Sequence, residues 1–239
     1  MHPILLKLGP LTLYTYGAMM VLAFVTSTWL AAQAARRLPL AERAISAEQI
    51  ADFSCVALLG GILGGRLFYI LLRWKLFARA PQEMPAIWHG GLVWYGGFLG
   101  GVAAGRLYAR AKGLSFLRVL DHFIPFLALG HAIGRIGCFL NGCCYGKPNV
   151  PPPQLLESAG LFALFALLRW LQRGSVRRYP GRLFGVYLSL YAVLRVGIEF
   201  LRGDQSVLWA GLTLQQLISL LAFVMGMGLI LRRRMMDAP

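Results

Sequence analysis

Seven long apolar stretches divide the chain and constrain its fold more than any other feature of the sequence. A helix needs about 20 mostly apolar residues to cross a bilayer, and each stretch approaches that length. They cover residues 11–35, 49–72, 91–109, 115–137, 154–171, 183–201 and 212–231. Of the 239 residues, 14% are charged, against about 25% in soluble domains. The sequence therefore excludes a soluble fold and predicts an all-α, multi-pass membrane protein with seven transmembrane helices in one transmembrane domain, residues 1–239.

The basic residues predict how the chain is oriented in the membrane. There are 24 Lys and Arg residues against 9 Asp and Glu. They cluster between the apolar stretches, so the expected partner of this charge is the lipid headgroup rather than nucleic acid. Most fall in one set of loops, namely Arg36, Arg37, Arg43, Arg106, Arg110, Lys112, Arg118, Arg169, Arg173, Arg177, Arg178, Arg182 and Arg232–Arg234. Because cytoplasmic loops are enriched in Lys and Arg, seven helices place the N-terminus outside and the C-terminus inside.

Two glycine tracts repeat one spacing, with pairs at 60–61 and 64–65 and again at 96–97 and 100–101. Small residues four apart allow helix backbones to approach closely in lipid. The sequence therefore predicts that most of these glycines pack helices together. It shows no internal duplication of the kind found in many transporters, which disfavours a lipid or anion transporter as an alternative function.

Charged residues inside the apolar stretches are the first candidates for a functional site. An ionised side chain in hydrocarbon costs at least about 2.5–3.5 kcal/mol and normally faces a polar cavity or a partner. Glu199 follows Arg195 by one helical turn, so these two can pair. Arg135 has no acidic residue within one turn, and Glu157 lies beyond a proline-rich loop. We therefore expect Arg135 to lack a carboxylate of its own.

Arg135 and Arg195 have too few carboxylates near them to balance their charge, which predicts that they bind an anion from outside the chain. Guanidinium is a planar, permanently charged fork that fits phosphate, and lipid headgroups supply the abundant phosphate of a bilayer. Snorkelling of Arg135 and Arg195 to the interface is the alternative. The segment 134–146 reads G-R-I-G-C-F-L-N-G-C-C-Y-G. Its glycines expose backbone N–H groups and Asn141 adds a side-chain amide, which is the material of an anion-binding nest.

The same segment resembles the signature of a family of bacterial membrane enzymes, the prolipoprotein diacylglyceryl transferases. That signature reads G-R-x-G-N-F-x-N-x-E-x-x-G. Six residues match it in order and spacing: Gly134, Arg135, Gly137, Phe139, Asn141 and Gly146. Five further segments are similar to family motifs: Tyr16-Gly17, Gly64-Gly65-Arg66, residues 89–97, residues 153–157 and residues 195–202.

The resemblance implies transfer of the diacylglyceryl group of phosphatidylglycerol to the lipobox cysteine thiol of prolipoproteins, the first step of lipoprotein maturation. It places the enzyme in the bacterial cytoplasmic (inner) membrane. The phosphate would be held by Arg135 and Arg195. Hydrogen bonds to the headgroup or peptide would come from Tyr16, Asn141 and Gln154. The arginines would be oriented by Glu157, Glu199 and Arg202. The remaining expected binding residues are Arg66, Gly96, Gly97 and Gly146.

The implied partners are phosphatidylglycerol, the signal peptide of the prolipoprotein and membrane lipids, with a monomeric enzyme. The implied reaction requires neither a metal nor an organic cofactor. A paralogous transferase with a different lipid donor or acceptor is the alternative, because three positions depart from the family pattern. Tyr95 stands where the family has His before Gly-Gly, and Cys138 and Cys143 stand where it has Asn and Glu.

The departure at Tyr95 leaves the general base open. A tyrosine hydroxyl is protonated near neutral pH and is a poor base there. His89, six residues earlier, is therefore a second catalytic candidate beside Tyr95, although it can equally be an interfacial residue.

The cysteines admit three interpretations. Cys138, Cys143 and Cys144 have a spacing that suits no common zinc site, and no nearby histidine completes one. A disulfide between Cys138 and either Cys143 or Cys144 is possible on an oxidising face of the membrane. We favour packing thiols, and we expect Cys55, in the second apolar stretch, to lie in the helix core.

Overall fold

Helices dominate the computed structural model, which describes residues 3–8, 11–39, 43–174, 179–203, 207–209 and 211–231. Within those residues the α-helices are α1 (Thr15–Arg36), α2 (Ala47–Leu72), α3 (Trp74–Phe77), α4 (Trp94–Ala111), α5 (Phe116–Asn141), α6 (Pro153–Gln172), α7 (Arg182–Glu199) and α8 (Leu214–Leu231). Two short 3-10 helices follow α3, at Pro81–Glu83 and Ile87–His89.

All seven apolar stretches form helices, as predicted: α1, α2 and α4 to α8. In the described part of the chain, five of them are long and apolar enough to cross a membrane, namely α1, α2, α5, α6 and α8. The helix α4 is rich in glycine, and α7 carries three charged residues, at 182, 195 and 199. The protein is therefore a mostly helical, multi-pass membrane protein. Of the basic residues used for orientation, Arg177, Arg178 and Arg232–Arg234 lie outside the described residues.

Two short antiparallel hairpins, which the apolar pattern did not predict, accompany the helices. β1 (Ile4–Leu8) pairs with β2 (Leu11–Tyr14), and β3 (Val207–Trp209) pairs with β4 (Leu212–Thr213). The prediction that the first apolar stretch is helical from residue 11 is therefore wrong at its start. Threonine and tyrosine in β2 favour extended backbone, and α1 begins only at Thr15, whose N–H donates to the Pro3 carbonyl at 2.9 Å.

The helices belong to two compact units. The small unit comprises residues 32–119 and contains α2, α3 and α4. The large unit comprises residues 1–31 and 120–239 and contains most of α1 and α5 together with α6, α7 and α8.

Glycines bring α2 and α4 into close contact in the small unit, as the repeated tracts predicted. A Cβ atom added at Gly64 would collide with the Gly96 carbonyl and would lie 2.8 Å from the Cα atom of Gly100. One added at Gly100 would in turn collide with the Gly60 carbonyl. The two backbones therefore touch where these glycines meet. Cys55 is exposed, so its predicted core position is wrong, because it lies on the side of α2 opposite the glycines.

We expect Gly64→Ala to destabilise the protein and Gly228→Ala to be neutral or mildly stabilising. The first substitution forces a methyl group into backbone atoms of α4, and such overpacking costs about 1–3 kcal/mol. Gly228 lies in α8 with nothing within 4 Å of an added Cβ, and alanine is favoured over glycine in a helix by about 0.5–1 kcal/mol. Thermal unfolding of both variants in detergent measures the difference. Equal midpoints would contradict the contact.

The large unit is built on a core shared by three helices. Its members are Ile124, Ala128 and Ala132 of α5, Leu161, Leu164 and Leu168 of α6, and Leu183 and Tyr187 of α7. They recur every three or four residues, the spacing of one helix face. Asp121 fixes the start of α7, because its carboxylate accepts hydrogen bonds from the N–H groups of Gly181 and Phe184 and complements the positive end of the helix dipole. The core thereby aligns the helices that carry Arg135, Glu157 and Arg195.

Candidate active site

The end of α5 sets the geometry of the candidate site. The N–H of Cys143 donates to the Cys138 carbonyl at 3.2 Å, and the N–H of Gly142 donates to the Phe139 carbonyl at 3.2 Å. These are the two hydrogen bonds of a Schellman motif. Gly142 has a φ of 79°, the left-handed conformation that glycine adopts without steric cost. The motif ends the helix and brings Cys143 back beside its last turn.

Arg135 forms an ion pair with Glu157 at the start of α6. Its Nη2 lies 2.9 Å from Oε1 of Glu157, whose side chain is 2% exposed. The expectation from spacing that Arg135 lacks a carboxylate of its own is therefore wrong, and the contact agrees with the orienting role that the resemblance implies for Glu157. Twenty-two residues separate the two in sequence, and packing of α6 against α5 brings them together. The hydroxyl of Ser158, next to Glu157, donates to the Ala132 carbonyl of α5 at 2.9 Å.

Arg195 pairs with Glu199 one turn later on α7, as the spacing predicted. Nη2 of Arg195 lies 2.7 Å from Oε2 of Glu199, and both side chains are buried. The other oxygen of Glu199 accepts a hydrogen bond from the Thr213 hydroxyl at 2.7 Å. This contact ties the end of α7 to the start of α8, so the carboxylate that orients Arg195 is itself fixed.

Each arginine also keeps a buried nitrogen that finds no hydrogen-bond partner among the described residues. These atoms are Nε of Arg135 and Nη1 of Arg195. A buried donor left unsatisfied costs about 1–3 kcal/mol, and more for a charged group. Both donors therefore call for an acceptor from outside the chain, and an anionic oxygen is the acceptor that guanidinium binds most strongly. Two glutamates balance the charge of the two arginines. An external anion is therefore indicated by the two donors without a partner, and not by an excess of positive charge.

His131 and Tyr191 complete the cluster, and neither was singled out from the sequence. The Tyr191 hydroxyl donates to Oε1 of Glu157 at 3.0 Å, and Nε2 of His131 lies 3.9 Å from the same oxygen. The rings of His131 and Tyr191 lie 5.1 Å apart between their centroids, so both residues and Arg135 surround Glu157. The four-residue spacing of His131 and Arg135 is the sequence signal that finds His131, because it puts both on one face of α5.

Three of the predicted binding residues shape the loop that follows α5. Gln154 donates from Nε2 to the Cys143 carbonyl at 2.9 Å. Gly146 pairs with Arg202 in an antiparallel bridge. A Cβ atom at Gly146 would lie 2.8 Å from the ring of Pro153, so a larger residue does not fit there. The loop is thus held by the start of α6 and by the segment after α7.

Tyr16 and Asn141 lie at the accessible edge of the large unit. Tyr16 is in the first turn of α1, is 39% exposed and lies beside Gly137 of α5. Asn141 is the last residue of α5 and is exposed. Both polar side chains can therefore be reached from outside the protein.

Three free thiols gather where α5 ends. The Sγ atoms of Cys138, Cys143 and Cys144 all lie within 4.8 Å of one another. Cys144 has a φ of 61°, so the chain turns again directly after the Schellman motif. A hydrogen bond with Cys138, and then the positive charges of Arg202 and Arg135, outweigh burial and keep the pKa of the Cys144 thiol below its usual range.

Arg66 braces a loop of the small unit. Its guanidinium donates to the carbonyls of Met84 at 2.9 Å, Gly90 at 2.6 Å and Glu83 at 2.6 Å. Nδ1 of His89 lies 2.9 Å from a carboxylate oxygen of Glu83, and both side chains are exposed. Arg66, Glu83 and His89 help to line a cavity of about 160 Å³.

The other predicted residues of the small unit lie on the first turn of α4. Gly96 and Gly97 pack against the backbone of α2. Tyr95 is half-buried, and its ring centroid lies 5.4 Å from that of Trp94. The structure thus places Gly96 and Gly97 in a helix contact, and His89, Tyr95 and Arg66 within the same unit.

The fold and the site together define a class of protein. It is a helical, multi-pass membrane protein whose large unit contains two arginines, each with a buried donor that has no partner among the described residues. A glycine-rich loop closes the helix that carries the first of them.

Comparison with known proteins gives the family. Residues 3–232 match the family model described as Prolipoprotein diacylglyceryl transferase. A protein from Clostridium tetani (strain Massachusetts / E88), named phosphatidylglycerol--prolipoprotein diacylglyceryl transferase, is 34% identical over 95% of this chain and 95% of its own. Similar proteins of that name come from Geobacillus kaustophilus, 34% identical over 97% and 92% of the two chains, and Nitratidesulfovibrio vulgaris, 35% identical over 97% and 94%. The chain belongs to the prolipoprotein diacylglyceryl transferase family, as the resemblance predicted.

Proposed function

We propose that this protein transfers the diacylglyceryl group of phosphatidylglycerol to the lipobox cysteine thiol of prolipoproteins, the first step of bacterial lipoprotein maturation. Membership of the family supports the reaction. One structural observation carries the assignment of the site: Arg135 and Arg195 each retain a buried donor with no partner in the described part of the chain. A phosphodiester offers anionic oxygens to both.

In the proposed reaction the acceptor thiolate attacks the diacylglyceryl carbon that bears the phosphate ester. The new C–S bond forms as the C–O bond breaks, and glycerol phosphate leaves with the electron pair. Negative charge grows on the phosphate, where Arg135 and Arg195 stabilise it. Glu157 and Glu199 hold these arginines in place, so the donors are oriented before the lipid arrives.

The remaining residues have supporting roles in this proposal. Tyr16 and Asn141, which are exposed at the edge of the large unit, bind the headgroup or the peptide. Gln154, Gly146 and Arg202 keep the loop after α5 in shape. In the small unit, Arg66, Gly96 and Gly97 hold the helices and loop that present Tyr95 and His89. The acceptor's proton goes to His89 or to His131, a candidate that the sequence analysis did not include. Tyr95, whose hydroxyl is itself protonated near neutral pH, donates a hydrogen bond to a substrate.

We further propose that the chain acts as a single transmembrane domain of seven spans, with its N-terminus outside and its C-terminus inside. In this proposal it is a monomer in the bacterial inner membrane and binds the signal peptide of the prolipoprotein. The seven apolar helices and the distribution of basic residues support this arrangement. The proposed reaction itself draws on no organic cofactor.

The function is tested by complementation of a bacterium depleted of its own transferase. We expect the chain to restore growth and diacylglyceryl-modified lipoprotein, measured by mass spectrometry. The purified enzyme is then expected to modify a lipobox peptide with phosphatidylglycerol and not with phosphatidylethanolamine. A chain that reaches the membrane in normal amount but neither complements nor uses phosphatidylglycerol would refute the proposal. Transfer from another phospholipid would instead identify a paralogue, to which the departures at Tyr95, Cys138 and Cys143 point.

A further inference from the structure

We propose that Cys138, Cys143 and Cys144 form a binding site for a thiophilic metal ion, Zn²⁺ or Cu⁺. The proposed transfer reaction does not use these thiols, so the site is separate from the proposed function. Thiolates are the ligands that select these two ions.

The backbone, rather than the sequence spacing, gathers the ligands. The Schellman motif at the end of α5 returns Cys143 to the last helical turn, which carries Cys138. The left-handed conformation of Cys144 then turns the chain once more. Non-glycine residues rarely adopt this conformation. As a result, the sulfur atom of Cys138 meets those of Cys143 and Cys144, although five positions separate Cys138 from Cys143 in the sequence.

The distances suit a shared ion. A Zn–S bond is about 2.3 Å, so sulfur atoms around one ion lie roughly 3.8–4.0 Å apart. The three Sγ atoms lie within 4.8 Å of one another. Shifts of under about 1 Å in the positions of the sulfur atoms are therefore enough to bring all three to the spacing of ligands around one ion. A disulfide, in contrast, joins two sulfur atoms at about 2.05 Å and leaves the third without a function.

Neighbouring residues hold the loop that carries the cluster. Gln154 fixes the Cys143 carbonyl, and the bridge between Gly146 and Arg202 anchors the rest of the loop. Such outer contacts fix metal ligands in other proteins. Cys138 is buried while Cys143 and Cys144 are half-buried, which gives an ion a route of entry.

The test measures metal bound to the full-length protein in detergent. Reduced protein is loaded with Zn²⁺ or with Cu⁺, passed over a desalting column and analysed for metal per chain, in competition with a chelator for each ion. We expect one ion per chain. We expect metal binding to weaken by at least about tenfold in each of the variants Cys138→Ser, Cys143→Ser and Cys144→Ser. Tenfold is the lower end of the loss found when a residue that only hydrogen-bonds a metal ligand is replaced. Cys55→Ser is the matched control and keeps the affinity of the parent.

A second readout covers variants that unfold. Cd²⁺ bound to thiolates absorbs in the ultraviolet, so titration of the parent protein reports sulfur ligation without any substitution. Three results would overturn the proposal. The first is a folded Cys138→Ser variant that binds metal as tightly as the parent. The others are metal that does not stay with the protein on the desalting column, an adventitious ion only, and a disulfide within the trio of the freshly isolated protein. Metal content is measured without lipid or peptide, so the result does not depend on the transfer reaction. A protein that binds metal but does not transfer diacylglyceryl therefore refutes only the proposed function.

Discussion

Arg135→Lys is expected to fold and to lose transfer by at least about 10²-fold in kcat, the effect of removing one preorganised donor from a developing anion. Lysine keeps the positive charge and can still pair with Glu157, so the buried carboxylate is not left alone. It does not reproduce the planar fork. In particular, it has no counterpart of the Nε that Arg135 leaves without a partner in the described part of the molecule.

The measurement is single-turnover transfer from phosphatidylglycerol to a lipobox peptide, with membrane abundance and thermal midpoint recorded for each variant. Arg110→Lys is the matched control, because Arg110 is exposed in the last turn of α4. It is expected to keep parental kcat. Full activity of Arg135→Lys would show that a point charge suffices and that the unsatisfied Nε has no part in the reaction.

The contrast between the two arginines shows what sequence spacing determines. Glu199 lies one turn from Arg195 on the same helix, so helix geometry alone predicts their contact. Glu157 meets Arg135 only because α6 packs against α5 after a proline-rich loop. No local periodicity contains that information. Spacing along the helix therefore predicted the carboxylate partner of Arg195, whereas only the family resemblance pointed to Glu157 as a partner of the arginines.

The same division holds for the rest of the fold. Apolar length predicted every long helix, and the glycine tracts predicted the contact of α2 with α4. The hairpins were missed because strands of two to five residues leave little pattern inside an apolar stretch. The three clustered cysteines were weighed from the sequence, but their spacing could not show that the thiols meet, because that depends on two left-handed residues, Gly142 and Cys144. Backbone conformation of that kind is not encoded in residue spacing.

The balance of charge in the cluster also bears on how a lipid binds. Two arginines, each paired with a buried glutamate, leave no net charge between them to attract an anion from a distance. In the proposed site, binding is instead short-ranged, through the donors of Arg135 and Arg195 that have no partner among the residues the structure describes. Before a lipid binds, each arginine stays paired with a glutamate. This pairing avoids the free-energy cost of an uncompensated charge inside the protein. The phosphate then completes the hydrogen bonding of both.

His131→Gln is expected to lower kcat by about 10²-fold or more, the usual contribution of a general base, with a smaller change in KM for phosphatidylglycerol. Nε2 of His131 lies 3.9 Å from Oε1 of Glu157, and a carboxylate stabilises an imidazolium formed by taking a proton. The groups that face His131 are Glu157, Tyr191, Arg135 and Arg195. His131 and Arg135 therefore both lie beside Glu157, and Arg135 is one of the two arginines proposed to hold the leaving group.

Parallel variants separate His131 from the two candidates that the sequence predicted. His89→Gln and Tyr95→Phe are assayed with the same lipid and peptide, and His131→Ala is assayed with and without added imidazole. Recovery of turnover with imidazole identifies a group that moves a proton, because a purely structural loss is not restored by a small base. If His89→Gln removes turnover while His131→Gln retains it, His89 takes the proton and His131 only supports Glu157. Loss of turnover in Tyr95→Phe alone would assign Tyr95 a hydrogen bond to a substrate.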